Sequence, residues 1–82
     1  MTKERAERVR LTFPAELVRE PVIGQLARRF DVLPNIRRAD VGDDVGWIVC
    51  ELDGEPDGVA EAIAWMEGIG VDVDRLDHPL ES

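Results

Sequence analysis

Apolar and polar residues alternate along three short stretches of the chain, and a period of two indicates half-buried β-strands. The stretches are Val9–Phe13, Val45–Asp53 and Val71–Asp74. In the first two, the side chains expected to face a core are Val9, Leu11, Phe13, Ile48, Cys50 and Leu52. Those expected to face away are Arg10, Thr12, Trp47, Val49 and Glu51. Pro14 would end the first strand, and Asp53-Gly54 the second.

Two other stretches have the spacing of amphipathic helices. The first, at about 20–30, places apolar residues on one face at Val22, Ile23, Leu26, Ala27 and Phe30. Pro21 suits the first turn of this helix, and Arg28 and Arg29 suit the last turn, where cations complement the helix dipole. The second helix, at 56–69, has an apolar stripe at Val59, Ala62, Ile63, Met66 and Ile69. Pro56 would open it, and Gly70 is a plausible residue after its last turn.

A fourth strand is predicted at about Asn35–Val41, starting after Pro34, because proline cannot donate a hydrogen bond to a neighbouring strand. The element order is then β-α-β-β-α-β. It predicts an α+β fold, a ferredoxin-like sandwich with a four-stranded antiparallel sheet and two helices on one face. The other face of the sheet would carry Trp47 and Val49 uncovered. An apolar patch of this kind predicts a covering partner, so we expect a homodimer with Arg10, Thr12, Trp47 and Val49 at its interface.

The length of 82 residues predicts one domain at 9–76, a flexible N-terminal segment at 1–8 and a tail at 77–82. The chain lacks a 20-residue apolar run and an apolar signal-peptide region, so we expect no membrane insertion and a cytoplasmic location. Its single cysteine, Cys50, excludes an internal disulfide and favours a reducing compartment. The net charge is −8, with +3 in residues 1–40 and −11 in residues 41–82, which argues against nucleic-acid partners.

Most of the chain resembles the NIL domain family, which is named for an Asn-Ile-Leu motif. The resemblance runs from about Arg10 to Leu76 and is carried by three stretches: "RLTFPAELVREPVIGQLARRFDVLPNIRRADV" with its Ala-Arg-Arg-Phe helix end, "GWIVCELDG", and "AIAWMEGIGVDV" with its Ala-Ile-Ala-Trp helix. The resemblance implies a ferredoxin-like fold. It also implies two settings in which such domains occur. In the first, the domain lies at the C-terminus of methionine-importer ATPases, where paired domains bind methionine and the bound methionine inhibits transport. In the second, it is joined to iron–sulfur ferredoxin domains in proteins linked to sulfur incorporation into homocysteine.

This resemblance makes Asn35, Ile36 and Arg37 the candidate ligand-binding residues, because they stand at the family motif. The chain departs from the family in two respects: it carries no ATPase or ferredoxin part, and Arg37 replaces the motif leucine. We therefore expect a stand-alone module. Asn35 is either a ligand contact, since an amide both donates and accepts, or a turn residue after Pro34.

The remaining candidates each have two interpretations. In a regular strand Arg37 and Arg38 face opposite sides, so one of them would lie near Arg10 on the face without helices. That arginine would either pair with a ligand carboxylate or be a solvated charge that protects an edge strand from pairing with another chain. Trp65 is expected in the core, and Cys50 is expected to be a buried, inert thiol. His78 has no neighbours with the spacing of a catalytic triad or a metal site.

Two functions fit these expectations. The first is a dimeric module that binds methionine or a related sulfur amino acid. The second is a ligand-free module that docks onto a ferredoxin, a transporter or a sulfur-transfer enzyme in trans. We expect no enzyme activity, no cofactor and no metal, since the sequence lacks paired titratable residues suited to acid–base work.

Overall fold

The computed structural model describes residues 5–18, 20–42 and 45–76. The predicted tail with His78, and Asp43 and Asp44 of the predicted turn, lie outside these ranges. The elements in chain order are β1 (Arg5–Phe13), a short 3-10 turn (Ala15–Leu17), α1 (Val22–Arg29), β2 (Val32–Val41), β3 (Gly46–Gly54), α2 (Pro56–Ile69) and β4 (Asp72–Arg75).

The four strands form one antiparallel sheet in the order β2-β3-β1-β4. The first and third strands of the sequence lie side by side at its centre, and the second and fourth form its edges. This order, with one helix after β1 and one after β3, is the ferredoxin-like arrangement, so the predicted fold class is confirmed.

The core lies between one face of the sheet and the two helices. The alternate residues Val9, Leu11, Ile48, Cys50 and Leu52 are buried from the sheet side. From the helices, the buried residues are Val22, Leu26, Val59, Ala62, Ile63 and Met66. All of them belong to one cluster, so both helices cover the same face. Trp65, expected in the core, is half-buried at its margin, with its ring centroid 5.9 Å from that of Phe30 and 5.2 Å from the Arg29 guanidinium.

Helix α2 has the bounds that its terminal residues predict. Pro56 stands at the first turn, and Gly70 adopts φ 111°, a left-handed conformation that only glycine takes at little cost. The N–H of Gly70 donates to the carbonyl of Glu67, and that of Val71 donates to Met66 at 2.9 Å. This Schellman arrangement satisfies the last carbonyls of the helix and turns the chain into β4.

Two strand boundaries differ from the sequence prediction. β1 begins at Arg5 rather than Val9, because Arg5–Arg8 pair with Glu51–Gly54 of β3. β2 begins at Val32, so our expectation that pairing starts after Pro34 was wrong. Pro34 is accommodated within the strand because β2 lies at the edge of the sheet, where proline is tolerated.

Candidate functional site: the open face of the sheet

The open face is the side of the sheet turned away from both helices. The strand register arranges its side chains in three rows that cross from β2 to β4 and in a shorter row, of Leu33, Asp53 and Ala6, that crosses only β2, β3 and β1. The first row is Asn35, Glu51 and Arg8, extended by Leu76, whose N–H donates to the Arg8 carbonyl at 2.8 Å. The middle row is Arg38, Val49, Arg10 and Asp74. The third row is Asp40, Trp47, Thr12 and Asp72.

A β-bulge in β2 brings two adjacent arginines to the open face. Ile36 is opposite Cys50 and Arg38 is opposite Val49, which leaves Arg37 as the extra residue between them. The Arg37 guanidinium nevertheless lies 3.7 Å from the Glu51 carboxylate, and both arginines line one pocket on this face. The expectation that they point to opposite sides was therefore wrong, because it assumed a regular strand and a bulge re-aims one side chain.

Glu51 is shared between two guanidinium groups. Its Oε2 accepts a hydrogen bond from Arg8 Nη2 at 3.0 Å and lies 3.7 Å from Arg37 Nη2. The carboxylate side chain is 23% exposed, whereas the two arginines are more than half exposed. Two guanidinium groups, those of Arg8 and Arg37, thus adjoin one carboxylate, and that of Arg38 lines the same pocket as they do. An arginine carries five N–H donors, so much of their donor capacity stays free for a further acceptor.

The arginines border a surface pocket of about 370 Å³, which lies within the size range of small-molecule sites. Its lining consists of Arg8, Arg37, Arg38, Val49 and Leu76. Val49 and Leu76 supply an apolar floor beside the charged groups. The pocket combines cationic donors with an apolar surface, a combination suited to a small amphipathic anion or zwitterion.

The structure brings only part of the predicted ligand-binding set together. Asn35 is exposed on the open face, opposite Glu51 and beside Arg37. Ile36 is opposite Cys50 and therefore points to the helix side of the sheet, where it is 53% exposed at the edge. Asn35 and Arg37 thus lie on the open face, whereas Ile36 lies on the other side of the sheet.

The four residues expected at an interface form one continuous patch. Arg10 is opposite Val49, Thr12 is opposite Trp47, and both pairs lie at the centre of the open face. Trp47, Val49 and Thr12 are half-buried in the single chain, and Arg10 is exposed beside Asp74 at 3.5 Å. Their placement is as predicted.

Sequence reasoning missed Arg8 as a member of this site. It lies on the same face as Arg10 and Thr12, which are two and four residues further along β1. Strand alternation would have identified Arg8 if the predicted strand had begun at Arg5. Glu51 was placed on the correct face, and its contact with Arg8 follows from the β1–β3 register, whereas its contact with Arg37 depends on the bulge.

Cys50 lies directly beneath this site and takes no part in it. The thiol is completely buried, and burial, followed by the charge of neighbouring Glu51, raises its pKa from 9.0 to about 11. The thiol therefore stays protonated and unreactive at neutral pH, as the sequence predicted.

A second cavity, of about 140 Å³, lies on the helix side between the start of α1 and the ends of β1 and β3. It is lined mainly by apolar side chains, among them Phe13, Leu17, Val22, Ile23 and Ile48. Glu20 is the one charged side chain in this lining among the described residues. The cavity thus offers no cation to a carboxylate ligand from the described part of the chain, and the open face remains the better candidate.

Neither helix within the described ranges is long and apolar enough to cross a bilayer. The same residues contain no group of three or more His, Cys, Asp or Glu side chains arranged to hold a metal ion.

The fold and the charged open face define an α+β domain of the ferredoxin-like class. A sequence profile of the NIL domain matches residues 7–75, so the chain belongs to the NIL domain family. It is 37% identical over 72 residues to a methionine import ATP-binding protein of Myxococcus xanthus, an alignment that covers 83% of this chain and 22% of that protein. It is 35% identical over 74 residues to a protein of the same name from Chromohalobacter salexigens, covering 85% of this chain and 21% of that relative. The chain thus spans about one fifth of the length of these relatives.

Proposed function

We propose that this chain is a regulatory module that binds an amino acid, methionine or a related sulfur amino acid, as a homodimer. The observation that carries the proposal is a pocket on the open face lined by Arg8, Arg37 and Arg38. Glu51 contacts two of these arginines, and Asn35 is opposite Glu51 in the strand register. The family and the names of the two relatives support methionine as the first ligand to test.

The polar groups of the pocket are complementary to an amino-acid zwitterion. A guanidinium of Arg37 or Arg8 pairs with the α-carboxylate in bidentate fashion, and the Glu51 carboxylate accepts hydrogen bonds from the α-ammonium group. The Asn35 amide can donate a hydrogen bond to the α-carboxylate or accept one from the α-ammonium group. Val49 and Leu76 provide the apolar surface that a thioether side chain needs.

A second copy of the chain is part of the proposal because the pocket is open on one side. Trp47 and Val49 remain half-buried at the centre of the face, and tryptophan is enriched at the energetic centres of interfaces. Covering this face would exclude water from the pocket and strengthen each charged contact within it. The module is proposed to bind without catalysis, since the Cys50 thiol is buried with its pKa raised to about 11.

Replacement of Asn35 tests the ligand site. We expect Asn35→Ala to weaken methionine binding by about 1.5–3 kcal/mol, tenfold or more in Kd, because a hydrogen bond to a charged ligand group is lost. Isothermal titration calorimetry gives the affinity, and urea unfolding gives the stability. Gln25→Ala is the matched control, since it removes an exposed amide from α1 on the opposite side of the sheet.

Two results would count against the site. If the wild-type chain shows neither heat nor a melting shift at millimolar methionine, methionine is not its ligand. If Asn35→Ala lowers the stability and leaves the affinity unchanged, Asn35 is a structural residue of β2.

A docking module that binds no ligand is the second candidate, and the apolar side chains along β2 favour it. Ile36 is 53% exposed and Val41 57% on the helix side of this edge strand, and Leu33, opposite Asp53 on the open face, is 60% exposed. Exposed apolar side chains at an edge suit a protein partner, for which a ferredoxin and an importer ATPase subunit are the candidates to test. Sedimentation of the purified mixtures, with Ile36→Asp as the disrupting variant, would separate this function from amino-acid binding.

A further inference from the structure

We infer that the pocket on the open face selects an amino acid whose side chain ends in a second acidic group, which the Arg38 guanidinium binds. The inference rests on the proposed amino-acid binding and names the class of ligand that this pocket prefers. The observation behind it is an excess of cationic groups. Three arginines line the pocket, whereas among the described residues only one carboxylate, that of Glu51, contacts any of them.

A zwitterion with an uncharged side chain uses only part of this charge. Its α-carboxylate pairs with Arg8 or Arg37 and its α-ammonium group pairs with Glu51, so its net charge is zero and the excess positive charge of the pocket persists. Closely placed guanidinium groups repel one another, and a negative charge brought between them reduces that repulsion. A ligand with a net negative charge therefore gains more from this pocket than a neutral one.

Arg38 is the arginine best placed to bind the second acidic group. It lies opposite Val49 in the middle row, one row away from Glu51, and makes no ion pair with a described residue. Arg8 and Arg37, in contrast, both approach the same oxygen of Glu51, at 3.0 Å and 3.7 Å. The donors of Arg38 are thus open to a ligand, and a guanidinium binds an oxyanion through two parallel hydrogen bonds.

The lining arginines belong to two strands that are not neighbours. Arg8 lies on β1 and Arg38 on β2, with β3 between them. Neighbouring strands are about 4.8 Å apart, so roughly 10 Å separates the backbones of β1 and β2, and the two long side chains border the pocket from opposite sides. A ligand with an acidic group at each end can meet a cation on both strands.

An uncharged side chain gives Arg38 no comparable partner. The sulfur of a thioether is only a weak hydrogen-bond acceptor. A bound thioether would therefore displace water from the Arg38 guanidinium without replacing its hydrogen bonds, which is unfavourable. The methylene groups of an acidic side chain can still contact Val49 and Leu76, so an acidic ligand keeps the apolar contacts and adds a charged one.

Glu51 distinguishes an acidic amino acid from a simple anion. Its carboxylate contacts two of the lining arginines, so it repels an inorganic dianion bound beside them. The α-ammonium group of an amino acid offsets this repulsion, because it offers hydrogen-bond donors to the same carboxylate. We therefore expect the pocket to bind an amino acid with two acidic groups more tightly than it binds sulfate.

Two ligands of matched shape test the preference. L-Homocysteate and L-methionine sulfone have the same chain length, and in both the terminal sulfur carries two oxygens. Its remaining substituent is an anionic oxygen in homocysteate and a methyl group in the sulfone. We expect isothermal titration calorimetry to show that the wild-type chain binds homocysteate about tenfold more tightly or better, because only homocysteate forms charge-assisted hydrogen bonds with Arg38. Sulfate, at equal ionic strength, is the third probe.

Replacing Arg38 tests the assignment of the second acidic group to this residue. We expect Arg38→Leu to lose the preference, with homocysteate and the sulfone within about threefold of each other, while its affinity for the sulfone stays close to that of the wild type. Arg28→Leu is the matched control, since it removes the same charge from an exposed position on α1, and we expect it to keep the preference. Circular dichroism checks that both variants are folded.

The outcomes separate this inference from the proposed function. A wild-type chain that binds the sulfone or sulfate as tightly as homocysteate, or an Arg38→Leu variant that keeps the preference, would overturn the inference, and amino-acid binding would still stand if methionine binds. A chain that binds homocysteate but not methionine would support the inference and identify the related amino acid as an acidic one. A chain that binds none of these amino acids at millimolar concentration would overturn the inference and the proposed function together.

Discussion

At the scale of single residues, the face of the sheet to which the Cys50 side chain points determines its contacts and its reactivity. The residue lies one position from Glu51 on the most regular strand of the sheet, yet its side chain points to the opposite face. Glu51 meets two arginines and solvent, whereas Cys50 meets only the apolar core. This difference follows from the alternation of β3 alone, and it was predictable from the sequence for that reason.

The raised pKa of Cys50 makes the stability of the fold depend on pH in the alkaline range. Above pH 9 the thiol ionises in the unfolded chain but stays protonated in the folded one, whose pKa is about 11. The unfolded state then binds fewer protons, so the free energy of unfolding falls as pH rises, by about 2 kcal/mol at pH 10.5.

Urea unfolding at pH 8 and pH 10.5 measures this loss, and Cys50→Ala is the control, because it removes the titrating group. The chain has no tyrosine and only one lysine, so few other groups titrate in this window. An equal loss of stability in the wild type and in Cys50→Ala would show that the thiol is not responsible.

At the scale of elements, the bulge in β2 is the feature that brings Arg37 to the open face beside Glu51. Deleting Arg37 leaves Ile36 opposite Cys50 and Arg38 opposite Val49, which restores regular alternation. We expect the deletion variant to unfold within about 1 kcal/mol of the wild type, because the lost residue is exposed and lies at an edge. We expect its methionine affinity to fall as much as that of an Arg37→Ala variant, because both lose the guanidinium beside Glu51.

Deletion of Val49 from β3 is the contrasting case. This strand is central and regular, so removing one residue would turn every later side chain to the wrong face, and we expect the chain not to fold. If deletion of Arg37 had the same effect in circular dichroism and urea unfolding, the bulge would be required for the fold itself.

The elements differ in how much the sequence could predict. β3 and α2 were predictable because apolar periodicity, Pro56 and Gly70 all indicate the same bounds. The start of β1 was not, since residues 5–8 join the sheet mainly through backbone pairing and carry little apolar pattern. The bulge was not predictable either, because no local signal marks Arg37 as an extra residue and only the register with β3 defines it.

At the scale of the whole molecule, the net charge of −8 does not show how the charged side chains are distributed over the surface. Arg8, Arg10, Arg37 and Arg38 lie on the open face, in a protein with ten lysines and arginines in total. The half of the chain that carries the acidic excess contributes Trp47, Val49 and Glu51 to the same face. Composition alone predicts an acidic protein, but the open face sets these four arginines among carboxylates and groups Arg8, Arg37 and Arg38 around one pocket suited to a carboxylate ligand.

Replacing Trp47 tests whether this face is the interface. We expect Trp47→Asp to weaken dimerisation by about 2 kcal/mol or more, roughly thirtyfold, because it removes a central aromatic and buries an unpaired charge. Sedimentation equilibrium measures the dimer constant, and circular dichroism checks that the monomer stays folded. Ile69→Asp, on the exposed part of α2, is a control for adding a charge elsewhere. A dimer constant equal to that of the wild type would place the interface on another surface.

The irregular edge strand has one more consequence, which concerns how far association can go. A sheet that grows by adding strands at its edges has no natural end and leads to filaments. Here Pro34 and the bulge interrupt the β2 edge, and the β4 edge is only four residues long. The open face can bind only one partner copy when the two copies are related by a two-fold axis. Assembly of this chain would therefore be closed at two copies, even at the high local concentrations that favour open polymers.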